Sequence, residues 1–159
     1  MAFRIGFGFD VHRLEAHQEL KLGGVSIPHS KGAVGHSDAD TLIHAICDAL
    51  LGAAGQRDIG FHFPDTDPAW KGKDSAHFLL KVNEILHSLA YSVVNIDATV
   101  VLQKPKISAY IPDICRNLAS LLNLDETSIS VKAKTSEGIG YVGREEGVQA
   151  YAVALLEKR

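Results

Sequence analysis

The chain has 159 residues, 46% of them hydrophobic, which is enough for one domain with a substantial core and short for two. We therefore expect a single domain spanning residues 1–159. The formal net charge is −3 and no lysine or arginine run exceeds two residues, so nucleic acids and anionic membranes are not expected as partners.

The first predicted strand covers Arg4–His12. Because side chains alternate along a strand, Asp10 and His12 share one face with Gly6 and Gly8. The opposite face carries only apolar side chains: Ile5, Phe7, Phe9 and Val11. Glycines in a strand allow another group to approach the backbone closely. The Asp10 carboxylate and the His12 imidazole therefore project from the same face of the strand, and the glycines allow a ligand or another segment to approach that face.

A hairpin with a glycine turn is expected over Lys21–Pro28, followed by a helix from Asp40 to Ala54. At about 100° per residue, the helix has a broad apolar arc, and His44 falls on the opposite, acidic side. That side is typical of a solvated helix face, and for His44 the sequence alone favours neither this interpretation nor metal binding. With Asp10 and His12, His44 would complete a catalytic zinc pattern of three protein ligands and one open position.

The second half of the chain predicts a loop and then alternating helices and strands. Gly60–Pro68 contains prolines and acidic turn formers, and loops of this length are often functional. Beyond it we expect a helix capped by Ser75, a strand with Val94 and every second residue after it pointing inward, a further helix and two strands. Their expected bounds are Ala76–Ala90, Val94–Leu102, Ser108–Leu122, Ile129–Thr135 and Gly147–Leu156. This order predicts an α/β (α+β) sandwich in which one mixed sheet has helices on one face.

The last predicted strand is apolar on both faces. Tyr151, Val153 and Leu155 lie opposite the alanine-rich face, and together they are too apolar for a face exposed to water. A sheet with helices on one face must then cover its other face with something else. For a chain of this size, another copy of itself in closed symmetry is the simplest cover.

The cysteines and the amino-terminal residues indicate the cellular compartment in which the protein is expected. Cys47 and Cys115 lie in predicted helices without C-x-x-C spacing, which is typical of reduced core residues. Met1–Arg4 leads directly into the first strand with no signal core or transit-like stretch, so we expect the mature protein to begin at residue 1. No apolar run approaches the roughly 20 residues that span a bilayer. We therefore expect a cytoplasmic protein.

Seven short motifs follow one another along essentially the whole chain. They are G-F-D-V-H at 8–12, H-S-D-A-D-x-x-x-H at 36–44, D-I-G at 58–60, F-P-D-T-D-P at 63–68, K-P-K at 104–106, K-T-S-E at 134–137 and G-R-E-E-G at 143–147. Each motif alone is weakly specific, whereas the ordered set is highly specific. The set resembles the 2-C-methyl-D-erythritol 2,4-cyclodiphosphate synthases of the non-mevalonate isoprenoid pathway.

The resemblance implies a phosphorus-oxygen lyase. The 2-phosphate of 4-diphosphocytidyl-2-C-methyl-D-erythritol 2-phosphate would attack the β-phosphorus, expel CMP and close the cyclodiphosphate ring. Such a reaction needs no protein nucleophile, in agreement with the lack of an activated cysteine or a G-x-S-x-G serine. The protein must hold two anionic groups in line and neutralise the charge that develops.

The resemblance also assigns the metals and the catalytic donors. Asp10, His12 and His44 match the zinc ligands, and Glu137 matches a ligand of a second cation, Mg²⁺ or Mn²⁺, on the substrate diphosphate. His36 and Thr135 match the catalytic residues, Ser37 matches a further donor to the phosphates, and Lys134 stands at a position that contacts the phosphates or the nucleotide. Without the resemblance, His36 and Ser37 would be interpreted as a helix cap and its neighbour, and Thr135 and Glu137 as ordinary strand-end residues.

Three other segments match substrate contacts. Asp58 and Gly60 would hold hydroxyls of the ribose and methylerythritol, and Phe63, Asp65 and Asp67 would belong to a flexible loop over the sugar alcohol. An alternative for Asp65 and Asp67 is turn capping, which is compatible with binding. The cytosine would lie in the segment that carries Leu102, Lys106 and Ser108. For the remaining acids of the first helix region, Asp38, Asp40 and Asp48, we expect helix capping or contacts that orient a ligating imidazole.

The resemblance further implies a homotrimer with three sheets around the axis and active sites between subunits. Arg144 and Glu146 match an arginine–glutamate ring that closes an apolar axial channel, with Tyr141 nearby, and it stays open whether the channel holds an isoprenoid diphosphate. Lys134, Ser136 and Glu145 depart from the family pattern. Two alternative functions are a zinc phosphohydrolase and a non-catalytic, metal-dependent protein that binds nucleotides or isoprenoid diphosphates.

Overall fold

The structure, a computed structural model, describes residues 2–159 and confirms a mixed sheet with helices on one face. Its strands are β1 (Ala2–Ala16), β2 (Leu20–Leu22), β3 (Val25–Ile27), β4 (Lys31–Val34), β5 (Tyr91–Val101), β6 (Ile129–Lys134) and β7 (Gly147–Lys158). Five of them form one sheet in the order β4-β1-β7-β5-β6, in which β5 and β6 are parallel and the other neighbours antiparallel. The helices are α1 (Thr41–Ala53), α2 (Ile59–His62), α3 (Ser75–Ser88), α4 (Ile111–Leu122) and α5 (Gly140–Gly143).

Helix α1 lies directly against β1 because of two glycines. A Cβ atom added at Gly6 would lie 1.8 Å from the carbonyl oxygen of Ala49, and one added at Gly8 would lie 1.9 Å from that of Ala45. Any side chain at these positions would push the helix off the strand. The group that approaches the β1 backbone is therefore a helix of the same chain, and this contact fixes the distance between the end of β1 and the first turns of α1.

The β2–β3 hairpin holds the start of α1. Its turn is Gly23-Gly24, both at positive φ, as a two-residue hairpin turn requires. The two glycine N–H groups donate to the Asp40 carboxylate at 2.9 and 2.7 Å, and Ile43 N–H donates to it at 3.0 Å as the helix cap. Burial raises the pKa of Asp40 to about 6. The predicted hairpin and the predicted capping role of Asp40 are both confirmed.

Several local predictions were wrong. The cap of α3 is Asp74, which accepts from Ala76 N–H at 3.0 Å, and Ser75 instead turns its hydroxyl into the protein. A bulge between Val93 and Asn95 reverses the first residues of β5, so that Val93 is buried and Val94 is 36% exposed. The short strand β4 was not predicted, and the stretch predicted as loop begins inside α2.

The two faces of the sheet differ sharply in exposure. The alternating residues of β7 that face the helices, from Val148 to Leu156, are at most 1% exposed. On the opposite face, Ile5 and Phe7 are 73% and 64% exposed, and Val153 is 43% exposed. The apolar surface predicted for that face is thus present and uncovered in one chain. Among residues 2–159, no helix is both long enough and apolar enough to cross a membrane.

Candidate metal centre and active-site cleft

Three predicted ligands meet where the end of β1 faces α1. The side chains of Asp10, His12 and His44 each present one ligand atom, and these atoms lie within 4.8 Å of one another. His12 Nδ1 lies 2.9 Å and His44 Nδ1 lies 3.3 Å from Asp10 Oδ2. All three side chains are half-buried. The helix-on-glycine contact between α1 and β1 is what brings residues 30 or more positions apart to this distance.

The Asp10 carboxylate and the His44 imidazole of this cluster shift each other's pKa values in favour of their charged forms. Burial raises the pKa of Asp10, but the neighbouring imidazoles of His12 and His44 outweigh it, so the net pKa lies below the usual value. Burial lowers the pKa of His44, and the Asp10 carboxylate outweighs that effect and raises it. A negative charge is therefore held at Asp10, facing two imidazole rings.

The donor set fits a divalent metal such as zinc. Asp10 Oδ2 is buried and accepts no hydrogen bond of normal geometry from any residue in the range 2–159, although two ring nitrogens lie close to it. A buried carboxylate oxygen without a partner is costly unless a cation satisfies it. One carboxylate and two imidazoles are a common ligand set for catalytic zinc.

The cluster forms one wall of a cleft of 430 Å³. His36 and Ser37 lie beside it, and Gly60 and Asp65 line the cleft as the resemblance implies. Asp58 and Asp67 are not part of this lining; they cap α2 and the 3-10 turn at Pro68–Trp70, by accepting from Phe61 N–H and Ala69 N–H at 2.9 Å each. For Asp67 this supports the turn-capping interpretation.

An aromatic wall of the cleft was not predicted. The Phe63 ring lies 4.9 Å from the Phe78 ring and 5.1 Å from the Trp70 ring, centroid to centroid, and all three residues line the cleft. Phe78 was assigned only to the helix core and Trp70 to no site. The position of Trp70, the chain's single tryptophan, just beyond the acidic loop was the available signal. The loop start at Phe63 is buried, so it is anchored by packing.

A second group of predicted residues lies elsewhere on the same chain. A cavity of 200 Å³ is lined by Leu102, Lys106, Ser108, Lys134 and Thr135, together with Gln103, Pro105, Ile107 and Ala133. Thr135 and Glu137 are exposed, and Glu137 has a φ of +56°. Thr135 Oγ1 accepts from Glu137 N–H at 3.3 Å, which makes a local turn at the end of β6.

The register of the sheet separates the two groups. His12 on β1 pairs with Val148 on β7, Gln149 pairs with Val101 on β5, and Val101 pairs with Lys134 on β6. Both groups therefore lie at the same end of the sheet, three strand spacings apart. At about 4.8 Å per spacing this is roughly 14 Å, so Thr135 does not join the metal cluster of its own chain.

The remaining predicted residues lie near the β7 start. Tyr141 lines a third cavity of 250 Å³ together with Glu146 and His12. Arg144 donates to Glu146 of the same chain at 2.9 and 3.3 Å, and the ring that the resemblance implies around a threefold axis stays a prediction. Glu145, which departs from the family pattern, has a positive φ of 60°, a conformation that favours glycine. Its carboxylate lies 3.3 Å from Lys104 Nζ.

The cysteines take no part in this site. Cys47 is buried in α1 and Cys115 is half-buried in α4, and both are free thiols. Burial raises the pKa of each thiol, which keeps both protonated and unreactive at neutral pH.

Known proteins resemble this chain over nearly its full length. The model of the YgbB family matches residues 3–157. The 2-C-methyl-D-erythritol 2,4-cyclodiphosphate synthase of Porphyromonas gingivalis is 58% identical over 154 residues, which cover 97% of this chain and 95% of that protein. More than 400 curated proteins match this chain significantly, and those of Bacteroides thetaiotaomicron and Geotalea daltonii, 52% and 53% identical, carry the same name.

Solved structures agree with the sequence comparison. IspF of Plasmodium falciparum, in complex with CDP, superposes with a TM-score of 0.87 at 37% identity and covers 99% of this chain and 97% of that chain. The bifunctional IspDF of Campylobacter jejuni superposes with a TM-score of 0.96 at 38% identity, and the match covers 99% of this chain but 43% of that chain. The chain thus belongs to the YgbB family, the family of the 2-C-methyl-D-erythritol 2,4-cyclodiphosphate synthases.

Proposed function

We propose that this enzyme closes the 2,4-cyclodiphosphate ring by a metal-assisted transfer within one substrate, 4-diphosphocytidyl-2-C-methyl-D-erythritol 2-phosphate, and releases CMP. The observation that carries the proposal is the cluster of Asp10, His12 and His44, with its unpartnered carboxylate oxygen, in the wall of a cleft large enough for a small phosphorylated ligand. The names of the relatives support the ring closure, and the cluster supports the part played by a metal.

The residues around the cluster bind and orient the phosphates. A zinc ion held by Asp10, His12 and His44 would supply Lewis-acid polarisation of a phosphate oxygen. His36 is exposed at the cleft, where its imidazole donates to the phosphate as negative charge develops. Ser37, next to it, offers a hydroxyl to the same anionic group. The aromatic wall keeps part of the cleft dry, which disfavours attack by water.

The second cavity is proposed to bind the nucleotide half of the substrate. Complexes of relatives with CDP support a cytidine diphosphate ligand. Leu102, Lys106, Ser108 and Lys134 would surround the cytidine and its phosphates, and Thr135 would orient the reacting phosphate. Glu137 presents an exposed carboxylate for a Mg²⁺ or Mn²⁺ ion, which usually binds one or two carboxylates together with substrate phosphates.

One substrate can contact both groups if they come from different subunits. The two groups of one chain lie roughly 14 Å apart by strand spacing. The exposed apolar face around Ile5, Phe7 and Val153 supports burial against further copies of the chain. We therefore propose a homotrimer in which the metal cluster of one subunit faces Thr135 of the next. The sugar alcohol would lie in the cleft near Gly60 and Asp65, and Asp58, as the cap of α2, would hold the segment that carries Gly60.

Phosphorus NMR tests the reaction. The zinc-loaded protein is incubated with the diphosphocytidyl substrate and Mg²⁺, and the products are followed over time. Formation of the cyclodiphosphate together with CMP is the expected result. Linear phosphates from attack by water would instead identify a zinc phosphohydrolase, and unchanged substrate with tight nucleotide binding would identify a non-catalytic binding protein.

A further inference from the structure

The two ring nitrogens of His44 have different surroundings. Nδ1 faces the Asp10 carboxylate at 3.3 Å, inside the metal cluster. Nε2 points away from the cluster, toward the hydroxyl of Ser75 at 2.9 Å and that of Ser37 at 3.2 Å. A neutral imidazole carries one proton, so only one nitrogen can offer a lone pair to a metal. The groups at Nε2 decide which nitrogen that is.

The direction of the Ser75 hydroxyl follows from its other partner. Ser75 is fully buried, and its hydroxyl donates to Asp38 Oδ1, a carboxylate oxygen that can only accept when ionised. A hydroxyl has a single proton, so the Ser75 oxygen faces His44 as an acceptor. The group it accepts from is Nε2–H, which leaves the Nδ1 lone pair directed at the cluster.

Asp38 is itself fixed from three sides. Its carboxylate accepts from Asp40 N–H at 3.1 Å and from Ser75 N–H at 2.9 Å, and the Lys21 ammonium of the hairpin lies 3.7 Å from Oδ2. These partners hold the carboxylate in one orientation. Lys21, Asp38, Ser75 and His44 thus form a continuous polar chain, from the hairpin through the start of α3 to the metal cluster.

We propose that Asp38 and Ser75 are positioning residues that hold His44 with its proton on Nε2 and its Nδ1 lone pair toward the metal. The inference rests on the metal site of the proposed function. Ligating histidines commonly donate their second N–H to an acceptor that fixes the ring, and loss of such an acceptor costs about 10- to 100-fold in metal affinity. Here the acceptor is the Ser75 hydroxyl oxygen, and its proton is donated to the Asp38 carboxylate.

Capping alone does not account for this arrangement. At the start of α3, Asp74 accepts from Ala76 N–H and Asp38 accepts from Ser75 N–H, but the Ser75 hydroxyl caps no backbone group. The fully buried Ser75 hydroxyl instead forms hydrogen bonds with the Asp38 carboxylate and with the His44 imidazole. Its position is therefore explained by these two partners. A structural role would tolerate either tautomer of His44, whereas a positioning role requires one.

The first test measures the tautomer in the unaltered protein. Nitrogen NMR of the zinc-loaded, histidine-labelled protein distinguishes protonated from metal-bound ring nitrogens. For His44 we expect a proton on Nε2 that exchanges slowly with water and a metal-shifted Nδ1. A metal-bound Nε2 with a proton on Nδ1 would overturn the proposal, and this result does not depend on whether any variant folds.

The second test removes the acceptor chain. In Ser75→Ala, the Nε2–H group of His44 loses its buried acceptor. In Asp38→Asn, the new amide N–H can donate to the Ser75 oxygen, so the Ser75 hydroxyl can turn its proton toward His44 Nε2. We expect zinc affinity, measured by competition with a chelator, to fall about 10- to 100-fold in both variants. The visible spectrum of the Co²⁺-substituted protein should change as well, because the ligand ring is no longer held in one orientation.

Asp74→Asn is the matched control. Asp74 lies at the same helix start and contacts the same Lys21 at 3.0 Å, but it has no contact with Ser75 Oγ or His44 among the hydrogen bonds of residues 2–159. Its zinc affinity should stay within about fivefold of the unaltered protein, because the ion pair of an exposed carboxylate contributes little and the contact between Ser75 and His44 is kept. Equal zinc affinity in the control, Ser75→Ala and Asp38→Asn would overturn the proposal. Strong zinc binding without ring closure would instead refute the proposed function and leave the positioning role intact.

Discussion

The metal cluster and the Thr135 region lie at the same end of one sheet, yet they differ in how far one chain completes them. Asp10, His12 and His44 are half-buried and face one another, because α1 is pressed onto the glycines of β1. Thr135 and Glu137 are exposed, and the hydrogen bond between them lies within one turn. A tight helix–strand contact can assemble a site within a chain, whereas residues at the far strands of the sheet need another surface opposite them.

The largest expected effect follows from removing a ligand of the metal cluster, the part of the site that a single chain assembles. His44→Ala removes a ligand, so zinc content should fall to background and activity by more than about 100-fold, the upper loss that a supporting residue alone produces. The fold should persist because the fully buried side chains of α1, among them Leu42, Ile46 and Leu50, are all retained in the variant. Metal analysis and circular dichroism check both statements. Wild-type zinc content in the variant would contradict the assignment.

The next largest effect concerns the donors to the reacting phosphate. Thr135→Ala and His36→Ala should each lower kcat by about 100-fold or more, the loss typical of a removed charge-stabilising donor, with a smaller rise in KM. Zinc content should stay unchanged, in contrast to His44→Ala. Steady-state kinetics separates the two parameters. A change in KM alone would make both residues simple holders of the bound substrate.

A mixture of two inactive variants tests whether the two halves come from different subunits. His44→Ala and Thr135→Ala proteins are dissociated together and reassembled. In randomly mixed closed trimers, about a quarter of the interfaces pair two intact halves, so about a quarter of the wild-type activity should return. Either variant reassembled alone is the control. A monomer by light scattering, or mixed trimers without recovery, would refute the shared site.

The smallest expected effect is a difference in pH dependence between the metal-free and zinc-loaded protein. The raised pKa of His44 gives the metal-free protein stability that is fully present below the unfolded value of about 6.5 and is lost as pH rises through the higher folded value. Zinc requires neutral imidazoles, so the loaded protein should instead lose stability as pH falls through this range.

Calorimetric unfolding from about pH 5.5 to pH 8, with and without zinc, checks this prediction. The unfolding temperatures of the two forms should converge on acidification. In the His44→Ala protein the metal-free profile should lose the contribution of this histidine. Parallel profiles for both forms of the unaltered protein would contradict the coupling between His44 and the metal.

The sequence by itself determined the elements whose patterns are local. Period-two alternation placed Asp10 and His12 together on β1, helical periodicity placed His44 on the face away from the apolar arc, and the glycine pair marked the hairpin turn. The ordered motifs identified the family, which the comparisons confirm. Such signals depend on neighbours in the chain, so they can be read without a structure.

Tertiary structure decided the features that depend on contacts between distant segments. Three features leave no periodic signal, because each depends on a contact with another element: the bulge that turns Val94 outward, the bond of the Ser75 hydroxyl to Asp38, and the aromatic wall at Phe63. The same is true of the acceptor chain behind His44. Asp38 and Ser75 lie 37 positions apart, and only the packing of α3 beside the start of α1 brings a carboxylate, a hydroxyl and an imidazole into one line.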